Sequence, residues 1–253
     1  MTISAKDWIR FTDRLASISA RAASDLREWV NRNGGLVNIE RQRLIDYCYA
    51  LATKYGEASG ALAAAWYDAV AEAAGQTLPA AEAAATASYG ETAKTVNGVL
   101  KTSENEEQLA GAMERLVKLP GVDTTLNNAI RDGAEVAWIP HGDTCAFCLT
   151  LASRGWQKAS KKLQRNGHAE HVHAHCDCTY AVRYDEGTRV AGYDPGRWRR
   201  FYDNADGDTP AEKINAMRRE IYAENRKRIR EQQRSAYSRR AALNSSAAEE
   251  AEA

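Results

Sequence analysis

The chain has 253 residues, of which 44% are apolar and 27% charged, and its 34 Lys and Arg balance 34 Asp and Glu. Those averages exclude global disorder and a globally basic nucleic-acid binder, and the length allows an ordinary core without staples. The longest apolar run, seven residues from Ala61 to Tyr67, is far short of the ~20 that a spanning helix needs, so no membrane partner is expected.

The opening MTISAKDWIRF has no apolar stretch ahead of a small-residue cleavage site. Synthesis in a cytoplasm, without a signal peptide, is expected. Over residues 4–32, Trp8, Phe11, Leu15, Ile18, Ala22, Leu26 and Trp29 recur at spacings of three and four, the stripe of an amphipathic helix stopped by Asn33-Gly34-Gly35. A second helix is predicted over about 37–55, ending at Gly56, with Cys48 on its apolar face as a small hydrophobe. Residues 58–74 and 80–100 are alanine-rich, which predicts two more helices packed through small side chains and broken at Pro79. Ser103 and Glu106 have capping-box spacing and open a helix to about Leu119. Pro120-Gly121 closes it, and Asp123 caps another that reaches about Glu135.

From Val136 the texture becomes turn-rich, with strands predicted near 136–139 and 178–184, where Thr179, Tyr180, Val182 and Tyr184 favour extended backbone. Beyond Asp194-Pro195 a polar linker leads to Thr209-Pro210-Ala211-Glu212, where a Thr cap, a Pro at the first position and a Glu at the third agree on a helix start. That helix is predicted to run to about Ala242, with ten Lys or Arg against four Glu between 209 and 242. Arg218, Arg219, Arg226, Lys227, Arg230 and Arg234 are its candidates for phosphate contacts with double-stranded DNA, against the plainer reading of a solvated face. The fold class expected is α+β, mostly α. A helical domain covers 1–135, a Cys/His module with short strands 136–200, a linker and long basic helix 201–242, and a disordered tail 243–253.

Four of the five cysteines fall within residues 145–178. Cys145-Ala146-Phe147-Cys148 has the spacing by which one turn supplies two corners of a tetrahedral metal site. His171-Val172-His173-Ala174-His175-Cys176-Asp177-Cys178 offers the other corners. Cys145, Cys148 and Cys176 lead the ligand set, with the fourth place shared between Cys178 and His173. A thiolate-rich, closed shell implies a structural Zn2+ with no catalytic position, while two disulfides or free thiols use the same residues. No Gly-rich phosphate loop or Ser-centred nucleophile motif appears, so no enzyme is expected. The competing functions are an HNH-like zinc nuclease, which lacks a recognisable Asn between paired histidines, and a zinc-stabilised DNA-binding protein, which lacks a compact recognition helix.

The strings CAFCLTLASRG (145–155) and HVHAHCDCTYAVRYD (171–185) together resemble the signature of phage minor head proteins, the MuF-like group and its relatives. Asp143 loosely matches the Asp of the group's first element. Cys145, Cys148, His173, Cys176 and Cys178 match its cysteine and histidine positions, while Ala174 stands where a Pro often follows the His. The resemblance is tight over about 136–185 and general before it. It implies a structural minor capsid protein of a tailed phage or prophage, made in the host cytoplasm and carried in the virion at the portal vertex or capsid interior. It further implies portal or major capsid protein as partners, and roles in head morphogenesis and in DNA packaging or delivery.

Overall fold

A computed structural model describes residues 1–102, 105–141, 144–166 and 178–251, the last including only the backbone of 229 and 232–251, as for 164–166. It is 68% helix with a few short strands, the α+β, mostly α class expected. Four helices form the first half: α1 (Ala5–Arg32), α2 (Arg41–Ala73), α3 (Tyr89–Thr102) and α4 (Glu106–Asp132). Ser4 caps α1 by accepting the Asp7 N–H at 3.1 Å, and the predicted stripe buries Trp8, Phe11, Leu15, Ala22 and Leu26. The stop is made at Gly34 and Gly35, whose φ of 80° and 93° suit residues lacking a Cβ.

Gly56 does not end a helix, and α2 runs through it as one rod. A Cβ at Gly56 would lie 2.9 Å from Thr86 Cγ2 and 3.3 Å from Pro120 Cγ, so this glycine marks close approach and not a boundary. Pro120-Gly121 likewise lies inside α4, where the sequence predicts two helices. The ring of Pro120 forfeits one helical hydrogen bond, yet it packs on Gly56, and its carbonyl accepts the Thr124 hydroxyl at 2.6 Å. Asn105 caps α4 by accepting the Glu107 N–H at 2.8 Å, whereas the expected cap Ser103 lies outside the described residues. Asn105→Ala should cost about 1 kcal/mol, read as a lower urea midpoint at unchanged m-value. Of the alanine-rich stretch 80–100, only the part from Tyr89 is helical.

The second half is built around a three-stranded sheet in the order β3 (Gln157–Lys158), β2 (Glu135–Ile139), β4 (Thr179–Arg183), all antiparallel. Both longer strands stand where the sequence predicts them. β1 (Thr2–Ile3) pairs in parallel with β5 (Arg189–Val190), which ties the start of the chain to the sheet region. One core joins the halves: Trp8, Phe11, Tyr67 and Leu126 pack in the same cluster as Val136 and Tyr180. A second cluster, including Leu26, Cys48, Val96, Leu109 and Met113, lies wholly among the four helices.

Among the described residues three helices precede the last: α5 (Ala146–Ala152) and α6 (Lys161–Asn166) lie between β2 and β4, and α7 (Pro195–Asp203) follows β5. The stretch expected to begin a linker is therefore helical, capped by Asp194, which accepts the Gly196 N–H at 2.9 Å with Pro195 in the first turn. The last helix, α8 (Pro210–Ala251), opens with the predicted Thr209–Glu212 capping box. It continues to Ala251 instead of giving way to a tail at 243. Beyond Ala242 the sequence has no Pro or Gly, and after Asn244, Ser245 and Ser246 it holds only Ala and Glu, so no strong breaker interrupts a helix already nucleated. α8 docks by Met217, fully buried with Ala146 and Leu149 of α5 and flanked by Ile214 and Ile221.

Candidate metal centre and basic helix

The β2–β4 register sets Ile139 opposite Thr179. Cys178, one residue before β4, therefore stands at the end of the sheet from which the chain leaves β2 toward Cys145. The contact is direct, for the Cys178 thiol lies 3.8 Å from Thr144 Oγ1. Cys145 caps α5, its Sγ accepting the Cys148 N–H at 3.4 Å, the bond by which a CxxC turn holds a sulfur in place. Cys148 and Cys178 are buried in one apolar cluster, with Cys145 packed against it. Two segments some thirty residues apart, each bearing part of the predicted ligand set, thus meet at one end of the sheet.

His173 and Cys176 lie outside the described residues, as do Asp143, His168, His171 and His175. Among the described residues, no three His, Cys, Asp or Glu side chains converge in a way that could hold an ion. Cys145, Cys148 and Cys178 therefore do not form a site by themselves, and the other expected ligands, Cys176 and His173, are among the residues not described. The donor chemistry fits zinc, since thiolate and imidazole corners suit it and the N–H···S bond is of the kind that orients such ligands. Cys48 stands apart, a buried thiol of the helical cluster whose pKa burial pushes up to about 12.

One residue carries no signal in the sequence. His141, between β2 and the CxxC turn, places Nε2 3.0 Å from Asp13 Oδ1 and Nδ1 3.2 Å from Thr12 Oγ1. It fastens the cysteine-bearing loop to α1. The row of hydroxyl, imidazole and carboxylate has the order of a nucleophile with its base. Thr12 is only 1% exposed, however, so the row is an anchor closed to substrate. No local pattern could join residues 128 positions apart.

On α8, Arg218, Arg219, Arg226, Lys227 and Arg230 are exposed, and Arg234 lies where only the backbone is described. At about 100° per residue, Arg219, Arg226 and Arg230 project opposite the docking side of Ile214, Met217 and Ile221, with Tyr222 and Lys227 flanking them. Glu220 and Glu224 share a groove with Arg228, and Glu231 shares one with Arg226, Lys227 and Arg230, so the exposed surface is mixed in charge with a basic excess. Tyr222 is 63% exposed with the Arg226 guanidinium 5.7 Å from its ring centre. Arg218 belongs near the docking side and donates to Asn215 Oδ1 at 3.2 Å.

Residues 2–205 match the model of the VG15 protein family, a span that runs from β1 to the end of α7 and contains both cysteine segments. The chain belongs to the VG15 protein family. This is a family of phage or viral gene products, a coarser assignment than the MuF-like group to which the cysteine strings pointed. The matched span stops before α8, leaving the basic helix outside it. No curated protein and no solved structure matches the chain.

Proposed function

We propose that this VG15-family chain is a structural minor capsid protein of a tailed phage head, non-catalytic, placed at the portal vertex or capsid interior. There it serves head assembly beside portal or major capsid protein and takes part in DNA packaging or delivery. The observation that carries the reading is that the two strings resembling minor head proteins come together, the Cys178 thiol lying against Thr144 beside the CxxC turn. The phage or viral family and the resemblance of both strings to minor head proteins support it. The experiment is mass spectrometry of purified particles with immunogold location of the chain. Presence at one vertex or inside the shell is the expected result, and absence from particles overturns the role.

A structural zinc would pin the two segments, held by Cys145, Cys148 and Cys176 with Cys178 or His173. It would supply folding free energy and no reaction. Protein purified without a His tag should contain about one equivalent of zinc. Cys145→Ser should lose most of it and melt at a lower temperature. Metal-free protein with an unchanged melting curve removes zinc from the account.

The outward face of α8 would lie along the phosphates of packed duplex DNA, without reading sequence. Full-length protein should retain duplex DNA at low salt. The triple variant R219A/R226A/R230A should flatten the slope of log affinity against log salt by about 3, one for each phosphate left without its arginine. An unchanged slope excludes this face.

A further inference from the structure

Residues 79–88, between α2 and α3, are extended although six alanines fall within 80–87 and Pro79 is a natural first residue for a helix. Their backbone is held by side chains instead of by its own turns. Ala81 N–H donates to Asp68 Oδ1 at 2.8 Å, Glu82 N–H to Asn128 Oδ1 at 3.0 Å and Ala84 N–H to Thr124 Oγ1 at 2.8 Å. In the other direction, Asn128 Nδ2 reaches Glu82 O at 2.9 Å, and Arg131 reaches the carbonyls of Ala80 and Pro79 at 3.1 and 3.0 Å. Asn128 thus reads both polar groups of Glu82, as a neighbouring strand would.

The floor beneath is cut to fit. A Cβ at Gly56 would meet Thr86 Cγ2 at 2.9 Å, and one at Gly60 would meet Ala83 Cβ at 3.4 Å. Besides this clamp, a capping box starts α3: Ser88 N–H and Oγ both donate to Glu91 Oε2 at 2.8 Å, and Ser88 Oγ accepts the Glu91 N–H at 3.2 Å. Local propensity and tertiary fit therefore favour different conformations of the same ten residues, the condition for a two-state element.

We propose that residues 79–88 form a conformational switch, a strap clamped by Asp68, Thr124, Asn128 and Arg131 whose second state is a helix continuing α3 back to Pro79. The added length is ~15 Å. The change uncovers the small-residue floor of α2 at Gly56 and Gly60, and it opens Thr124 and Asn128, now 0% and 3% exposed, to whatever takes the strap's place. Any partner that binds this floor, or the lengthened helix, shifts the equilibrium toward the second state.

The test uses full-length protein with 13C-labelled alanine. In the wild type, the Cα shifts of Ala80 to Ala87 should have extended values. In T124V/N128A they should move downfield to helical values, and adding Ala85→Pro should reverse the move. Ala85 is exposed and its N–H makes no bond to the clamp, so proline fits the strap but not the helix interior. Thr124→Val alone, milder on the fold, should show a smaller shift in the same direction. Alanines that go to coil values, or that stay extended in both variants, overturn the switch.

Discussion

Gly121→Val should destabilise the chain by about 3 kcal/mol, seen as a fall in the urea midpoint at unchanged m-value. Glycine within a helix ordinarily costs about 1 kcal/mol against alanine, so on propensity alone a side chain here would help. The structure reverses the sign. A Cβ at Gly121 would stand 2.6 Å from Ser59 Oγ, 3.3 Å from Ser59 O and 3.4 Å from Leu15 Cδ2, with Ser59 itself 1% exposed. The hydroxyl can rotate away, but the carbonyl belongs to α2 and moves only if the helices separate. Valine adds two methyls to that contact. Gly121→Ala should be milder, and Ser59→Gly in its background should restore part of the loss. A Gly121→Val variant as stable as the wild type would mean that α2 and α4 do not touch through this seam.

That seam also explains which parts of the fold were legible. The stripe of α1, the capping box of α8 and the β-branched and aromatic run of β4 each carry their signal within a few residues, and each stands where the sequence places it. Gly56 and Pro120-Gly121 carry the same local signal as a helix end. Their meaning lies in each other, since Pro120 packs on Gly56, and residues 64 positions apart share no local pattern. Residues 80–88 mislead in the opposite way. Alanine propensity is real there, but the side chains that overrule it come from α2 and α4. At the candidate metal centre, spacing singled out Cys145, Cys148 and Cys178 as candidates, and the fold brings Cys178 against Thr144, beside the CxxC turn. His141 was invisible because its partners, Thr12 and Asp13, lie on α1. On α8 composition alone gave a net basic helix. The docking of Met217 then fixes which side faces outward, and with it the outward placement of Arg219, Arg226 and Arg230.

Asp123→Asn should stabilise the protein at neutral pH and do almost nothing in acid. Expected from sequence to cap a helix, Asp123 instead lies inside α4, facing a cavity of about 570 Å³ between α3 and α4. Its Oδ1 is buried without a hydrogen-bond partner among the described residues. Burial, reinforced by the nearby Glu91 charge, raises its pKa from 3.8 to about 6. Glu91 stays ionised at lower pH than usual because Ser88 donates to it from N–H and hydroxyl, so the repulsion persists. Lys94 and Arg115 line the same cavity from α3 and α4. A carboxyl that binds its proton more tightly in the folded state penalises folding once both states have lost it. The penalty is absent below about pH 4, grows as pH rises, and is complete above about pH 6. A rise of this size corresponds to about 3 kcal/mol, reduced to about 2 kcal/mol by the solvent that reaches the group. The amide keeps the shape and removes the charge, so melts at pH 7.5 should rise by about 5 °C while those at pH 4 coincide. An equal gain at both values would assign the effect to packing and not to charge.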